Sequence, residues 1–358
     1  MTTLFRNIFF ISVLFFSGIL HSQSFQKSIN INYGYGSLVA HRNAMNHMVK
    51  GNSNYFDLSY TIRTNGKKES HSYYRYPWIG VGANFVTSGN PEQIGNVLGI
   101  YSYGILRLGK NEDYPFRIKV GAGLGYVQHT FILTTNNQAI AIGSHLNSNM
   151  VFRFEKLFPL FSSEKMGSEL YLGFGLTHFS NSSIKSPNLG LNFVTFNAGY
   201  QLGCKKFEKE PLIEKSPSKS SLEFSVVGGG GFKEQSQPTY PKYIIGLLNF
   251  QLEHNFNFKN SGYVSLDFLR NSSLSLANKS LFQQGIFFGY MLNFDRFKFG
   301  TGMGIYSFNR TFDEQLFYHK LVIDYKISKK TNLQLSMRTH WATADFVSLN
   351  LRYLLWEK

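Results

Sequence analysis

The sequence predicts an all-β protein whose strands close into antiparallel transmembrane barrels, and three observations predict it. Segments of roughly 9–15 residues, apolar at every second position, follow one another along the chain and never yield to a helical period. After the first residues no run reaches the ~18 apolar residues that a membrane helix requires. The composition completes the pattern: 35 Phe and 21 Tyr, with 33 Gly and only 9 Pro in 358 residues, suit aromatic girdles outside a barrel and small residues within it.

Residues 1–23 read as an export signal, with a positive Arg6, an apolar run from Ile8 to Leu20, and His21-Ser22-Gln23-Ser24 as a polar exit. The chain is therefore expected to reach the outer membrane. No cysteine lies near that exit, which argues against a lipid anchor, and the lone Cys204 has no internal disulfide partner. Stability must rest on hydrogen bonding and packing.

Eight strand-like segments follow, near 25–36, 54–63, 79–88, 96–109, 115–131, 143–156, 168–180 and 191–204. Turn-rich pieces such as Ser88-Gly89-Asn90-Pro91, Lys110-Asn111-Glu112-Asp113 and Thr135-Asn136-Asn137 separate them. Eight is the smallest strand number for a closed outer-membrane barrel, so residues 24–204 form one candidate unit. Residues 117–127 show how its faces divide: Val120, Ala122, Leu124 and Tyr126 fall on one side, Gly121, Gly123 and Gly125 on the other. A glycine face suits a narrow interior, while the bulky set suits lipid.

Residues 205–220 break the alternation with charge, Pro and Ser, and mark the internal boundary. About eight further strands are expected over 221–358, near 221–232, 242–255, 261–270, 283–294, 297–308, 315–327, 331–341 and 345–356. They could join the first eight in one larger barrel or close separately; the glycine-lined faces favour two small barrels. An internal repeat is suggested by Lys119-Val120-Gly121-Ala122-Gly123-Leu124-Gly125-Tyr126 beside Lys298-Phe299-Gly300-Thr301-Gly302-Met303-Gly304-Ile305.

A net charge of +15 implies an anionic partner or a solubilising surface. Export and the lack of any nucleic-acid module exclude nucleic acid, whereas phosphorylated lipid headgroups fit the compartment. No metal site is expected: His41 and His47 lack a third ligand.

The stretch richest in chemistry is Thr177-His178-Phe179-Ser180-Asn181-Ser182-Ser183-Ile184-Lys185-Ser186-Pro187-Asn188-Leu189-Gly190-Leu191-Asn192. His178 and Ser180 continue the apolar face of Leu170, Leu172, Phe174 and Leu176, and Asn192 is in phase with Val194 and Phe196 on the next strand. All three then point outward near one rim. An imidazole two residues from a hydroxyl on one strand face can take its proton, and a group on the adjacent strand can orient the ring. The same residues would also fit a strand end at headgroup level, where polar side chains are ordinary.

This stretch resembles the lipid A 3-O-deacylases of the PagL type, eight-stranded outer-membrane barrels with the motif His-x-Ser-Asn, then Pro-Asn-x-Gly, then an acid. The resemblance covers 25–204 in architecture and is specific in the motif. It implies that Ser180 is the nucleophile, His178 the general base and Asn188 an oxyanion donor, with Pro187 and Gly190 matching the intervening loop, no cofactor, and lipid A as substrate. Two positions depart from the pattern: Asn192 stands where the family carries an orienting glutamate, and Ser183 where it carries a glycine that supplies a backbone oxyanion donor. An amide oxygen can still orient the imidazole but cannot stabilise its charge as a carboxylate does. His41, Arg42 and His47 after strand one, and Lys185 in the motif loop, are candidate substrate contacts through lipid phosphate. Thr339-His340-Trp341-Ala342 lacks a nucleophile, and His340 is in phase with the polar face of its strand. The competing readings are a non-enzymatic porin-like or structural barrel and a secreted soluble β-domain.

Overall fold

Alternation along each strand lets a sheet close on itself, with apolar side chains outward, polar ones inward and no edge left unpaired. The computed structural model describes residues 25–108, 115–163, 165–206, 220–234, 241–310, 315–341 and 343–358, and in it the sheet closes twice. Strands β1 (Phe25–Leu38), β2 (Asn52–Arg63), β3 (Trp78–Thr87), β4 (Asn96–Arg107), β5 (Phe116–Val127), β6 (Leu146–Ser162), β7 (Met166–Ser180) and β8 (Leu191–Lys206) form the first barrel, and β8 returns to pair with β1. Strands β9 (Ser221–Glu234), β10 (Lys242–Asn255), β11 (Asn260–Asn271), β12 (Phe282–Phe294), β13 (Phe297–Phe308), β14 (Phe317–Lys326), β15 (Thr331–His340) and β16 (Thr343–Glu357) form the second, closed by β16 on β9.

The larger single barrel is thereby excluded. The strands follow the expected segments closely, with one informative difference. β5 stops at Val127 instead of running to 131, and β6 starts at Leu146. Residues 128–145 leave the wall and fold over the rim, where Phe131 N–H reaches the Ile142 carbonyl at 2.9 Å. The expected signal at 1–23, the turn at 110–113, most of the boundary at 205–220, and Ala342 lie outside the described residues.

An eight-stranded interior has room only for side chains, and here paired charges fill it. Asp57 lies 3.5 Å from Lys119 and 3.4 Å from Arg153, and Arg117 lies 2.5 Å from Glu155. In the second barrel Asp267 lies 2.9 Å from Lys320 and 3.2 Å from Arg338, while Glu253 receives Lys298 at 2.6 Å and Arg352 at 2.8 Å. An unpaired buried ion costs several kcal/mol (about 3–5 when one partner is removed), so the closed register is what keeps these groups tolerable. The inward glycines leave space for rings: a Cβ at Gly121 would lie 2.6 Å from Tyr101, and one at Gly304 would lie 2.3 Å from Tyr318. Outward, residues such as Ile31, Leu58, Val81, Ile100 and Phe174 form an apolar belt, with Ile100 as much as 63% exposed.

The loops after β1, β3, β5 and β7 share one rim, and the short helix α1 (Glu69–Tyr73) lies at the other. The barrels stand side by side in the same sense, joined at both rims. At the first, Arg42 donates to Thr343 Oγ1 at 2.6 Å and Ser183 Oγ donates to the Ala344 carbonyl at 2.6 Å. At the second, Tyr74 donates to the Asn293 carbonyl at 2.8 Å and Tyr73 stacks on Phe258 with ring centres 4.6 Å apart. Beneath the first rim an apolar plug that includes Met45, Met48, Tyr55, Val127, Phe179 and Phe193 replaces the polar interior and backs the strands that carry the motif.

Candidate active site

β7 delivers the motif to the rim in the outward phase. Thr177 and Phe179 are buried toward the interior, so His178 and Ser180 project to the other side. Phe179 packs edge-on against Phe193 at 6.2 Å and anchors the strand end from within. Ser180 is not left open on the wall: only 8% of it is exposed, with Ser182 and Asn188 of the following loop at its hydroxyl, and residues 128–145 hold that loop in turn. Gly190 N–H reaches the Ala141 carbonyl at 2.9 Å, and Asn181 Nδ2 reaches Ser144 Oγ at 2.9 Å.

His178 and Asn192 are direct cross-strand partners between β7 and β8. Their side chains meet, with Nδ1 of the imidazole 2.7 Å from Asn192 Oδ1. An amide oxygen only accepts, so Nδ1 carries the proton and Nε2 keeps its lone pair, the tautomer a general base needs. The amide cannot turn over freely, because Asn192 Nδ2 donates to His41 Nδ1 at 2.9 Å. His41, expected on the sequence to meet lipid phosphate, thus braces the residue that orients His178. Sequence spacing carried no signal for that contact, since it joins groups 151 positions apart.

Ser180 and His178 share the face, yet no hydrogen bond joins them among the described residues. The hydroxyl is held by Asn188, whose Nδ2 lies 3.0 Å from Ser180 Oγ, while Asn188 Oδ1 accepts the Asn181 N–H at 3.0 Å. The Ser182 N–H also points at Ser180 Oγ, at 3.2 Å. Residues two apart on one strand face are separated by about 6.6 Å, a gap that a rotated hydroxyl and an imidazole can close. Ser182 and Ser183 both adopt left-handed backbone, at φ 55° and 67°. That conformation costs a residue with a Cβ about 1 kcal/mol or more, and it leaves the Ser183 N–H without a hydrogen-bond partner among the described residues. Donors from Asn188 and Ser182 therefore face the hydroxyl, the Ser182 amide being one that sequence reasoning missed, and the Ser183 N–H follows next in the loop.

Gly190 completes the site by its lack of a side chain. It sits at φ +83°, and a Cβ there would lie 2.7 Å from His178 Cε1. Of the remaining sequence candidates, Arg42 is engaged with Thr343 in the second barrel and His47 Nε2 meets the Gln138 carbonyl at 2.8 Å. Lys185 is exposed on the motif loop, and its ammonium has no partner among the described residues. No cluster of metal-ligating side chains occurs among the described residues.

Fold and site together define a β-barrel protein with a serine and an oriented histidine on its outer wall. Residues 54–201 match the family described as lipid A 3-O-deacylase (PagL), and residues 222–357 match the acyloxyacyl hydrolase C-terminal domain. With both barrels matched, the chain belongs to the lipid A 3-O-deacylase family. No curated protein matches it. Among solved structures, a triple mutant of the Rhodopseudomonas blastica porin aligns at 7% identity with a TM-score of 0.18, over 92% of this chain and 99% of that one. A second mutant of that porin aligns at 8% identity with the same TM-score and the same coverage. At that TM-score the likeness has no bearing on function.

Proposed function

We propose that the protein is an outer-membrane esterase that removes an ester-linked acyl chain from lipid A, with Ser180 as nucleophile and His178 as general base. The observation that carries this reading is the oriented imidazole: the 2.7 Å bond to Asn192 leaves Nε2 basic on the same outward face as Ser180. Membrane insertion is supported by the apolar belt and by strand length. A 12-residue strand such as β4, rising about 3.3 Å per residue at a tilt near 40°, covers about 30 Å along the barrel axis, the depth of a bilayer core. A site at one rim of such a belt meets the ester bonds of a lipid without drawing the lipid out of the membrane.

In the reaction, Ser180 Oγ forms a bond to the acyl carbonyl carbon as its proton passes to His178 Nε2. The carbonyl oxygen takes the negative charge, and Asn188 Nδ2 with the Ser182 and Ser183 N–H groups are the donors at hand. Collapse breaks the ester C–O bond, and the imidazolium proton goes to the leaving sugar or hydroxyacyl oxygen. Water then repeats the sequence on the acyl-serine, releasing fatty acid and restoring Ser180. Lys185 and the +15 net charge suit a phosphorylated, anionic substrate.

Purified protein in detergent should release fatty acid from lipid A, and Ser180→Ala should abolish that release, with mass spectrometry identifying the ester cut. Equal release by the two proteins would overturn the assignment.

A further inference from the structure

The two barrels meet at the motif loop, and two of the contacts fall on Ser183, which stands where the family carries a glycine. Within the first barrel the loop is tied mainly through Asn181: its Nδ2 reaches the Lys185 carbonyl at 2.8 Å, and the Ile184 N–H reaches the Asn181 carbonyl at 3.2 Å. At Ser183 and Ser186 the second barrel supplies partners. Glu234, at the end of β9, donates its own N–H to the Ser183 carbonyl at 3.0 Å and accepts the Ser186 N–H on its carboxylate. Ser183 Oγ donates to the Ala344 carbonyl at 2.6 Å. One residue of the second barrel thus grips the loop at two points, and a neighbouring strand grips it at a third.

We infer that the second barrel is a positioning element for the reaction and that Glu234 is its main positioning residue, holding loop 181–186 so that the Ser182 and Ser183 amides face the developing oxyanion. The inference rests on the deacylase reading above. A serine at φ 67° is less at home than a glycine and gives up that backbone shape readily when unsupported. The bond from the Glu234 backbone restrains the Ser183 carbonyl, the Ala344 carbonyl holds its hydroxyl, and the Glu234 carboxylate holds the loop at the Ser186 N–H, all from outside the catalytic barrel. Glu234 has no hydrogen bond to Ser180 among the described residues, so the inferred effect is carried by the loop.

The test uses the full chain with Glu234→Ala and Glu234→Gln, read by amide hydrogen exchange and by steady-state release of fatty acid from lipid A. In Glu234→Ala the amides of 181–186 should exchange at least about tenfold faster while those of β7 and β8 stay unchanged. In the same variant kcat should fall about tenfold to a hundredfold, in line with weakening of an oxyanion donor, with KM within about twofold. Glu234→Gln keeps an oxygen for the Ser186 N–H and should restore both readouts. If Glu234→Ala does not fold, Ser183→Ala, which loses only the bond to Ala344, should move both readouts in the same direction. Unchanged loop exchange in the alanine variants, or faster exchange with unchanged kcat, would overturn the inference. A wild-type chain that releases no fatty acid would overturn the deacylase reading and with it the catalytic role of the clamp, whereas normal wild-type release with an unmoved loop would overturn the clamp alone.

Discussion

Asn192 is the position at which the proposed chemistry is most open to measurement, and Asn192→Asp should raise kcat. The amide oxygen lies 2.7 Å from His178 Nδ1, so an aspartate of the same length puts a carboxylate oxygen on the same proton. What changes is the charge facing the imidazolium formed in the transition state. Charge centres about 4 Å apart at an effective dielectric constant near 20 attract by about 4 kcal/mol, which sets a ceiling of about 10³ in rate. Part of that is offset by desolvating a carboxylate under the loops, so an increase of about tenfold to a hundredfold is expected. His41 adapts by moving its proton to Nδ1 and donating to the second carboxylate oxygen. Asn192→Ala should act oppositely and lower kcat by at least about a hundredfold, because the imidazole loses its tautomer and orientation together. The assay is release of fatty acid at saturating lipid A in detergent, quantified by mass spectrometry, with thermal unfolding measured in parallel. A slower Asn192→Asp enzyme of unchanged stability, or an Asn192→Ala enzyme as fast as wild type, would refute the assignment of His178 as base.

Two further substitutions probe the scaffold. Gly190→Ala adds a Cβ 2.7 Å from His178 Cε1 at a φ of +83°; displacement of the ring should cost at least about tenfold in kcat while the barrel stays folded, and an enzyme of wild-type rate would show that the ring position is unimportant. Asp267→Ala strips the carboxylate from Lys320 and Arg338 inside the second barrel; unfolding measurements should show a loss of about 3–5 kcal/mol, and a change under about 1 kcal/mol would mean that these cations find other partners.

The strands are legible in the sequence because a wall with one apolar and one polar face writes its geometry at every second residue. β10 and β13 begin and end where the alternation does. The loops carry no such record. Gln128-His129-Thr130-Phe131 reads as a continuation of β5, but their amides bond across the rim, Gln128 N–H to the Asn96 carbonyl and His129 N–H to the Ile94 carbonyl. Likewise the outward phase of His178 and Ser180 follows from counting, whereas the grip of Asn188 on the Ser180 hydroxyl depends on how an irregular loop folds back. Arg42 is the plainest case. A basic loop residue near a predicted site suggests a phosphate ligand, and its partner Thr343 lies 301 positions away on another barrel.

The same comparison explains why the proposed chemistry is assigned to one barrel and not to the other. The glycine-rich segments that suggested a repeat, 119–126 and 298–305, fall in the fifth strand of each barrel, and Thr177-His178 and Thr339-His340 fall at the end of the seventh. In β7 the threonine is buried toward the interior and the histidine is outward. In β15 the phase is reversed: Arg338 is buried inside, and His340, two residues on, meets the Tyr306 hydroxyl at 3.1 Å. A shift of one residue sends every following side chain to the other face, so His340 is committed to the interior of the second barrel, whereas His178 of the first lies on the outward face. What that barrel presents at the shared rim is instead Glu234, Thr343 and the Ala344 carbonyl, each bonded to a loop of the first. Closure and inward glycines recur in both barrels, and the outward His-x-Ser pair is found in one, so the bearing on catalysis inferred above for the second barrel is assigned to the loop it holds.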